Sequence, residues 1–385
     1  MIRNLNLSQE LIDIRRQLHL YPELGFEEEK TSKFVEDYLK DLGLKVERIA
    51  KTGIVGLLVG GLPGPVVGIR ADMDCLPIQE ETDVDYKSKN DGKMHACGHD
   101  GHTSILLCTA KNLVQHKSKI KGQVKFIFQP AEESQGGALP MILEGVLENP
   151  RVEKMYALHL WSMIPIGKIG IKNGPIMGAT CELKIEIMGI GGHGALPQDS
   201  IDPIVAAASF IQNVQTIVSR NLDPLSAGVI SFGTINGGSA CNVIASKVTL
   251  SGTIRCDTVE GMAKLKLRIE TILKSTCAAF GATSNYQFND GYPALVNNES
   301  VTQEVIAAAQ EILGINSITK YQTLAAEDFA FFAERVPSCY FFLGAGNPEK
   351  HCHYPHHHPK FNIDEDALLS GMDIFTKLIL DREKF

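Results

Sequence analysis

A short loop in the first third of the chain combines thiol and imidazole groups. Its sequence, MHACGHDGH from Met94 to His102, places Cys97 and His99 one residue apart among glycines. Thiolate and imidazole both bind zinc, cobalt, nickel or manganese to different degrees, and this spacing lets them face one cation. Taken alone, the pattern also suits an ordinary loop at the start of a helix, with Asp100 as the helix cap.

Two adjacent carboxylates follow a predicted strand. The sequence FQPAEE ends at Glu132 and Glu133, directly after the apolar run 123–128. The carboxyl ends of strands are where open α/β sheets form their sites. Adjacent side chains of an extended segment point to opposite sides, so one carboxylate could bind a metal while the other faces a substrate as a base. A solvated acidic loop is the alternative interpretation.

One histidine lies at the end of a further predicted strand, and several more lie close together in a late segment of the chain. His159 lies in the apolar run 155–161, where a hydrogen-bonded core histidine is the alternative, and five of the 12 histidines lie between His351 and His358. Together these segments supply Cys, His, Glu, His and His, each in a loop after a strand. Five ligands exceed the four of a closed structural zinc site and suit two open catalytic metals.

The elements that must position these groups alternate between strands and helices. Apolar runs predict strands at 44–49, 54–59, 66–71, 123–128 and 154–160, and helical periodicity predicts helices at 8–19, 27–42, 102–116 and 137–147. Strands separated by helices of this length predict an α/β fold, with helices on both faces of a mostly parallel sheet.

The middle of the chain has a different pattern. Strands are predicted at 181–188, 227–234, 247–255 and 283–288, with helices at 202–219 and 257–281. Their order, β-α-β-β-α-β, is the split pattern of a ferredoxin-like α+β sandwich. After Asp290 the α/β rhythm resumes, with helices at 299–313 and 364–380 around a strand at 339–343. We therefore expect a discontinuous catalytic domain, residues 1–177 and 291–385, interrupted by an inserted domain at 178–290.

The amino-acid composition limits the kinds of molecule that the protein is expected to bind. The chain has 385 residues, 44% of them hydrophobic, and a formal net charge of −8. This balance disfavours nucleic-acid and anionic-membrane binding, since both need a basic surface. No uncharged run is apolar enough for a membrane helix, and the first residues lack the pattern of a signal peptide. Nine cysteines without disulfide-scaffold spacing favour a cytoplasmic location.

Seven ordered motifs carry a resemblance that covers essentially the whole chain: GIRADMD, HACGHDGHT, PAEE, HLW, GGHGALP, GTIR and HHPKF. They resemble the amidohydrolase branch of the aminoacylase/carboxypeptidase metallopeptidase family. That branch includes hippurate hydrolases, auxin-conjugate hydrolases and bacterial N-acyl-amino-acid deacylases. The resemblance implies two divalent metal ions per subunit (manganese, zinc, cobalt or nickel) and an inserted domain that serves as a lid and forms a homodimer.

The resemblance also implies roles for individual residues of the catalytic domain. The residues that match its metal ligands are Cys97, His99, Glu133, His159 and His357. Glu132 matches the general base. His358 directly follows the last ligand position, so the choice between His357 and His358 stays open. Where the wider family has a histidine ligand this chain has Arg70, which fits the branch that uses Cys97, and Asp72 matches an aspartate that supports the metal site.

Three residues of the inserted domain match functional positions of the family. His193 matches a histidine that reaches the partner subunit's active site and stabilises the oxyanion. Asn242 and Arg255 match lid positions that contact the substrate, and a guanidinium suits a carboxylate because it can bind in a bidentate manner. Further along the chain, Glu327 matches a motif near the pocket, although a helix cap explains it nearly as well.

Residues and resemblance together predict metal-dependent hydrolysis of the amide bond of N-acyl-L-amino acids, giving a carboxylic acid and a free amino acid. The nearest alternative on the same fold is a dipeptidase or carboxypeptidase. A thiol hydrolase with Cys97 as nucleophile is a second alternative. A non-catalytic metal-binding protein is a third, which Glu132 disfavours because metal binding alone does not need it.

Overall fold

The computed structural model describes residues 6–381, and these form nine α-helices and sixteen β-strands. Helices α1 to α9 are, in order, Asn6–Leu20, Glu29–Asp41, His99–Gln115, Ala138–Leu143, Pro203–Arg220, Val259–Phe280, Glu299–Leu313, Ala330–Ala333 and Asp366–Leu380. Strands β1 to β16 are, in order, Lys45–Ile49, Gly53–Val59, Leu62–Asp72, Lys121–Gln129, Lys154–Pro165, Ile169–Ile171, Gly174–Met177, Ala179–Met188, Gly192–His193, Gly228–Gly237, Val243–Ile244, Lys247–Cys256, Thr283–Asp290, Leu295–Asn297, Ile318–Lys320 and Ser338–Gly346.

The chain divides into two compact units. Unit 1 contains the described residues up to Gly174, Val296–Gln322 and the chain from Asp328 onward, and unit 2 contains Pro175–Leu295 and Thr323–Glu327. The segment predicted as an insertion, residues 178–290, lies inside unit 2. Thr323–Glu327, which the sequence placed in the outer domain, groups with unit 2 instead.

Unit 1 is built on one eight-stranded sheet, in the order β1-β2-β4-β3-β5-β16-β6-β15. Strands β4, β3, β5 and β16 run parallel, and β1 and β2 form an antiparallel edge. β16 is buried along its whole length, as expected for a central strand covered on both faces. Helices α1, α3 and α9 pack together over a core that includes Leu106, Phe126 and Phe375. The predicted α/β class is confirmed.

Unit 2 is an antiparallel sheet with two helices. Its strands lie in the order β10-β12-β8-β13, and the chain passes through β8, α5, β10, β12, α6 and β13. This is the predicted β-α-β-β-α-β pattern. Alternate residues of β8 are buried, and they pack with apolar residues of α5 and α6, among them Leu183, Val214 and Leu265. The opposite face of the sheet carries polar side chains.

Local signals predicted some helix ends better than others. Asp202, where the first helix of the inserted segment was predicted to begin, caps α5, since its carboxylate accepts the N–H of Ile204 at 2.9 Å. Helix α6, predicted at 257–281, has Thr258 as its cap, whereas Asp257 accepts the N–H of Ala227 at 3.0 Å. The helix predicted at 137–147 ends at Leu143. Within residues 6–381, none of the helices is long and apolar enough to cross a membrane.

Candidate metal centre

The groups of the candidate site lie where the central strands of unit 1 end. β4 is followed directly by the loop that carries Glu132 and Glu133. β5 continues past its last pairing with β3, which joins Arg70 to Ala157, so His159 emerges at the same edge of the sheet. This edge is the carboxyl end of parallel strands, where α/β sheets form their sites.

Two loops complete the arrangement. Gly98 adopts a left-handed conformation, with φ of 88°, at the start of α3, and this turn separates Cys97 from His99. Glycine is suited to such a turn because it has no Cβ. His357 also has a positive φ, of 64°, and its N–H donates to the carbonyl of Ala96 at 2.9 Å. The late histidine loop is thereby joined to the Cys97 loop.

All five predicted ligands meet in this region. The Sγ atom of Cys97 lies 3.4 Å from Nε2 of His159. Oε1 of Glu133 lies 3.8 Å from Nε2 of His99 and 3.1 Å from Nε2 of His357. The ligand atoms of Cys97, His99 and His159 lie within 4.8 Å of one another, as do those of Cys97, Glu133 and His357. Cys97 belongs to both groups, which therefore form adjacent donor sets.

Backbone carbonyls fix the orientation of two imidazoles. Nδ1 of His99 lies 2.9 Å from the carbonyl oxygen of Asp74, and Nδ1 of His159 lies 2.9 Å from that of Leu160. A carbonyl only accepts hydrogen bonds, so Nδ1 carries the proton in both rings and the lone pair of Nε2 faces the cluster. This hydrogen bonding is typical of metal-binding histidines.

The cluster fits a divalent cation. Nε2 of His99 is buried and has no hydrogen-bond partner within the described part of the chain. Burial, together with the charges of Glu133 and Glu132, raises the pKa of the Cys97 thiol well above its usual range. A coordinated cation acts in the opposite direction, because it favours the thiolate. Sulfur, imidazole nitrogen and carboxylate oxygen together are donors for the transition metals named above.

Glu132, the predicted general base, is buried beside the ligands. One of its carboxylate oxygens lies within 4.8 Å of donor atoms of His99 and Glu133. Its neighbour Glu133 is hydrogen-bonded to His357, with Oε1 of Glu133 3.1 Å from Nε2 of His357. Glu132 and Glu133 lie in a turn rather than in an extended segment, and a carboxylate oxygen of each comes within 4.8 Å of the other and of His99. The extended-chain argument, in which the two side chains point to opposite sides, was therefore wrong.

Asp72 is part of a buried hydrogen-bonded network that the sequence did not reveal. Its carboxylate accepts from Nδ1 of His102 at 2.5 Å and from Nη1 of Arg70 at 2.7 Å. Nε2 of His102 in turn accepts the N–H of Leu160, next to His159, at 2.9 Å. Arg70 therefore supplies a positive charge that holds Asp72 in place, and Asp72 orients a histidine that supports β5.

The rest of the late histidine cluster has structural partners. His356 donates from Nε2 to the carbonyl of Leu160 at 2.9 Å and stacks on Trp161, with ring centroids 4.1 Å apart. His358 stacks on Tyr354 at 4.7 Å, and its Nδ1 accepts the N–H of Lys360 at 3.0 Å. Of the two histidines that the motif left open, the structure brings His357 to the cluster and directs His358 elsewhere.

The other three predicted site residues lie in unit 2. His193 is exposed on β9 and pairs with Val243 of β11, so it lies next to Asn242, whose carbonyl accepts the N–H of Gly194 at 2.8 Å. Arg255 is half-buried on β12 and lines a groove of about 740 Å³ on the polar face of the sheet, together with Thr253 and other polar residues. Burial lowers the pKa of Arg255 from its usual value.

Comparison with known proteins places the chain in a family. The family model for peptidase family M20/M25/M40 matches residues 68–381. The chain belongs to this family. An N-acetyl-L-cysteine deacetylase of Bacillus subtilis is 40% identical over 366 residues, 95% of this chain and 86% of the relative. Thermostable carboxypeptidase 1 of Saccharolobus solfataricus is 42% identical over 366 residues, 94% of this chain and 92% of the relative.

A solved structure extends the similarity to three dimensions. The YXEP protein of Bacillus subtilis, described as a dinuclear metal binding peptidase from the M20 family, superimposes with a TM-score of 0.87 at 32% identity. The superposition covers 99% of each chain. The resemblance to the amidohydrolase branch of this family, predicted from seven motifs, is thereby confirmed.

Sequence reasoning assigned a supporting role to Asp72 but missed its partner His102 and the contact between Asp74 and His99. Asp74 binds His99 through its backbone carbonyl, and Asp72, Arg70 and His102 form the network described above. Asp74 had a usable signal, because a second carboxylate follows the end of β3 in the ADMD motif. His102 lies in the same short segment as Cys97, but its spacing gives no indication that it faces a carboxylate rather than a metal.

Proposed function

We propose that this M20-family chain is a metal-dependent amidohydrolase that cleaves N-acyl-L-amino acids to a carboxylic acid and a free amino acid. The observation that carries the proposal is the convergence of five candidate metal-binding side chains, with the further carboxylate of Glu132, which metal binding does not require, beside His99 and Glu133. The 40% identical N-acetyl-L-cysteine deacetylase supports this substrate class, since the chain covers 86% of that relative.

Two divalent ions would be held by Cys97, His99, Glu133, His159 and His357. When bound, such ions polarise a carbonyl oxygen and lower the pKa of a water molecule. Glu132 would accept the proton of the attacking water and then donate it to the leaving nitrogen. Its burial beside the ligands suits this role, because a carboxylate shielded from bulk water is well placed to exchange a proton with a bound substrate.

The family resemblance assigns roles in the reaction to three residues of unit 2. The imidazole of His193, supplied by a partner subunit, would hold the developing oxyanion, a contribution of about 3 kcal/mol for a well-placed donor. Arg255 and Asn242 would bind the carboxylate and amide of the amino-acid part. A half-buried guanidinium with a lowered pKa has lost hydration that a substrate carboxylate can replace.

The decisive test compares two neighbouring carboxylates. In Glu132→Gln, turnover of N-acetyl and N-benzoyl amino acids should be abolished while metal content stays at the wild-type level. In Glu133→Gln, metal content itself should fall. Near-normal turnover in the first variant would remove the role assigned to Glu132. Activity that survives a chelator and is blocked by thiol reagents would instead support Cys97 as nucleophile.

A carboxypeptidase or dipeptidase is the second candidate, and the 42% identity to thermostable carboxypeptidase 1 favours it. Both reactions use the same metal centre and a terminal substrate carboxylate, so only the group on the amino side differs. Parallel assays with N-acyl amino acids and with free dipeptides separate them. Hydrolysis of dipeptides alone would replace the first proposal by the second.

We further propose that the chain forms a homodimer through the β10 edge of unit 2. Within the described residues β10 pairs only with β12, and Ile235 on this edge strand is 53% exposed. An open edge with apolar side chains is a template for pairing with a second copy. Ile235→Lys should convert a dimer to a monomer in light scattering. Asn285→Lys, on the opposite edge strand β13, should leave the mass unchanged, and equal masses for both variants would refute this contact.

We propose a cytoplasmic location because of the state of the cysteines. All nine are free, and eight of them are buried. Free thiols in this number persist in a reducing compartment. Fractionation of cells that express the chain tests the location, and recovery outside the cytoplasm would refute it.

A further inference from the structure

The loop that carries the proposed general base has an unusual backbone. Ala131, which directly precedes Glu132, has a φ of 56° and is fully buried. A side chain with a Cβ adopts this left-handed conformation only at a cost, so the surrounding structure must hold it there. The direction of the Glu132 side chain depends on this turn, because Ala131 sets the path of the chain into it.

Two buried carboxylates hold the backbone on either side of Glu132. Oε1 of Glu28 accepts the N–H of Ala131 at 2.9 Å. Oδ2 of Asp74 accepts the N–H of Glu133 at 2.9 Å. The Pro130–Ala131 peptide, one residue before Glu132, and the Glu132–Glu133 peptide directly after it are therefore both held by hydrogen bonds to buried carboxyl groups.

The side chain of Glu28 forms hydrogen bonds with this loop and not with the helix that Glu28 precedes. It occupies the N-cap position of α2, yet its side chain makes no capping hydrogen bond. Its second oxygen, Oε2, accepts the hydroxyl of Thr52 at 2.7 Å. The same segment packs closely on the loop, since a Cβ added at Gly25 would lie 2.9 Å from Cα of Ala131. Burial of a carboxylate costs free energy unless its oxygens are hydrogen-bonded, and both oxygens of Glu28 are.

We propose that Glu28 is a positioning residue for catalysis: its carbonyl-type oxygen holds the Ala131 amide and thereby aims the carboxylate of Glu132 at the reacting water. The inference rests on the proposed function, because it assumes that Glu132 is the base. It does not depend on the charge of Glu28. A protonated carboxyl and a carboxamide both keep an oxygen that accepts the Ala131 N–H.

A set of three variants separates positioning from packing. Glu28→Met keeps the length of the side chain but removes both acceptors. Glu28→Gln keeps an acceptor for Ala131. Thr52→Val is the matched control, because it removes the other hydrogen bond of the same carboxylate and leaves the loop amide bonded. For each, kcat and KM are measured on the metal-loaded enzyme, and metal content and hydrogen–deuterium exchange of the peptide covering 129–137 are measured alongside.

Positioning predicts that Glu28→Met lowers kcat by about 10- to 100-fold with KM and metal content unchanged, since a displacement of about 1 Å at a reacting group costs up to about 100-fold in rate. Exchange of the 129–137 peptide should rise in the same variant. Glu28→Gln and Thr52→Val should stay within about threefold of wild type in both measurements. If Glu28→Met fails to fold, Glu28→Asp replaces it, because the shorter side chain withdraws the carboxylate from Ala131.

Three results would overturn the inference: wild-type kcat in Glu28→Met, an equal loss in Glu28→Gln, or an equal loss in Thr52→Val. The exchange measurement does not need a substrate. If the wild-type enzyme hydrolyses no N-acyl amino acid or dipeptide, the proposed function fails, while faster exchange in Glu28→Met alone still supports the control of the loop by Glu28.

Discussion

Two neighbouring arginines of α1 share one carboxylate partner but differ in burial, and this predicts unequal effects on stability. Arg15 is 1% exposed and donates to Asp100 at 2.9 Å, Glu365 at 2.9 Å and Asn362 at 2.8 Å. Arg16 pairs with the same Glu365 at 2.6 Å, but its side chain is 45% exposed. Methionine in place of either arginine removes the charge and keeps a side chain of similar length.

The expected magnitudes follow from the partners that are left behind. In Arg15→Met the buried carboxylate of Asp100 keeps only His19, at 2.7 Å, so the free energy of unfolding should fall by about 3–5 kcal/mol. Burial acts to raise the pKa of Asp100, and the charges of Arg15 and His19 hold it far below its usual range. In Arg16→Met the loss should be about 0–1 kcal/mol, because solvent screens the pair.

The single tryptophan makes the assay specific to unit 1. Trp161 lies on β5, so its fluorescence during urea unfolding reports on the unit that contains both arginines. With a slope of about 3 kcal/mol per molar urea, Arg15→Met should lower the midpoint by about 1–1.7 M. The measurement is made with chelator in all samples, so that metal release does not contribute. Midpoints for the two variants that agree within about 0.3 M would refute the reasoning from burial.

Two further predictions concern the metal centre and its loop. His357→Ala should lower the metal content measured by mass spectrometry, whereas His358→Ala should leave it unchanged because that ring stacks on Tyr354; equal losses would contradict the assignment. Burial raises the pKa of Glu28 to about 7. A raised pKa means that the folded state holds the proton more tightly, so the metal-free protein should lose about 3 kcal/mol of stability as the pH rises from about 4.5 to about 7. Glu28→Gln should not show this loss, because its side chain does not ionise. The two proteins are compared by their free energies of unfolding between pH 5 and pH 8, and the same pH dependence in both would refute the prediction.

Local sequence patterns predicted most of the fold. Apolar runs located β4 and β16, and the Asp-Pro pair at 202–203 located the start of α5, since these signals act over a few residues. The cap of α6 shows the limit of such reasoning. Asp257 and Thr258 are both good caps, and the choice between them depends on the N–H of Ala227, which belongs to a neighbouring segment.

The resemblance and the small number of metal-binding residue types pointed to five candidate ligands, which the structure brings together, but the groups that orient them could not be predicted. Glu28 bonds to Ala131 over a separation of 103 residues, and nothing in the type of either residue indicates the contact. The choice between His357 and His358 was equally hidden. It depends on a left-handed turn at His357 that directs one imidazole inward, and two identical side chains in sequence carry no sign of it.

The order of strands in unit 1 has a consequence for how the protein is made. β16 lies between β5 and β6 in the sheet, yet it is synthesised after both of them and after the whole of unit 2. Until β16 arrives, two apolar strands keep open edges, and the segment of His357 is missing from the ligand set. Binding of a cation by the proposed ligands Glu133 and His357 would close a loop of 224 residues. The closure of a long loop removes more conformational entropy from the unfolded chain than the closure of a short one. Metal binding would therefore stabilise unit 1 in the last step of its folding.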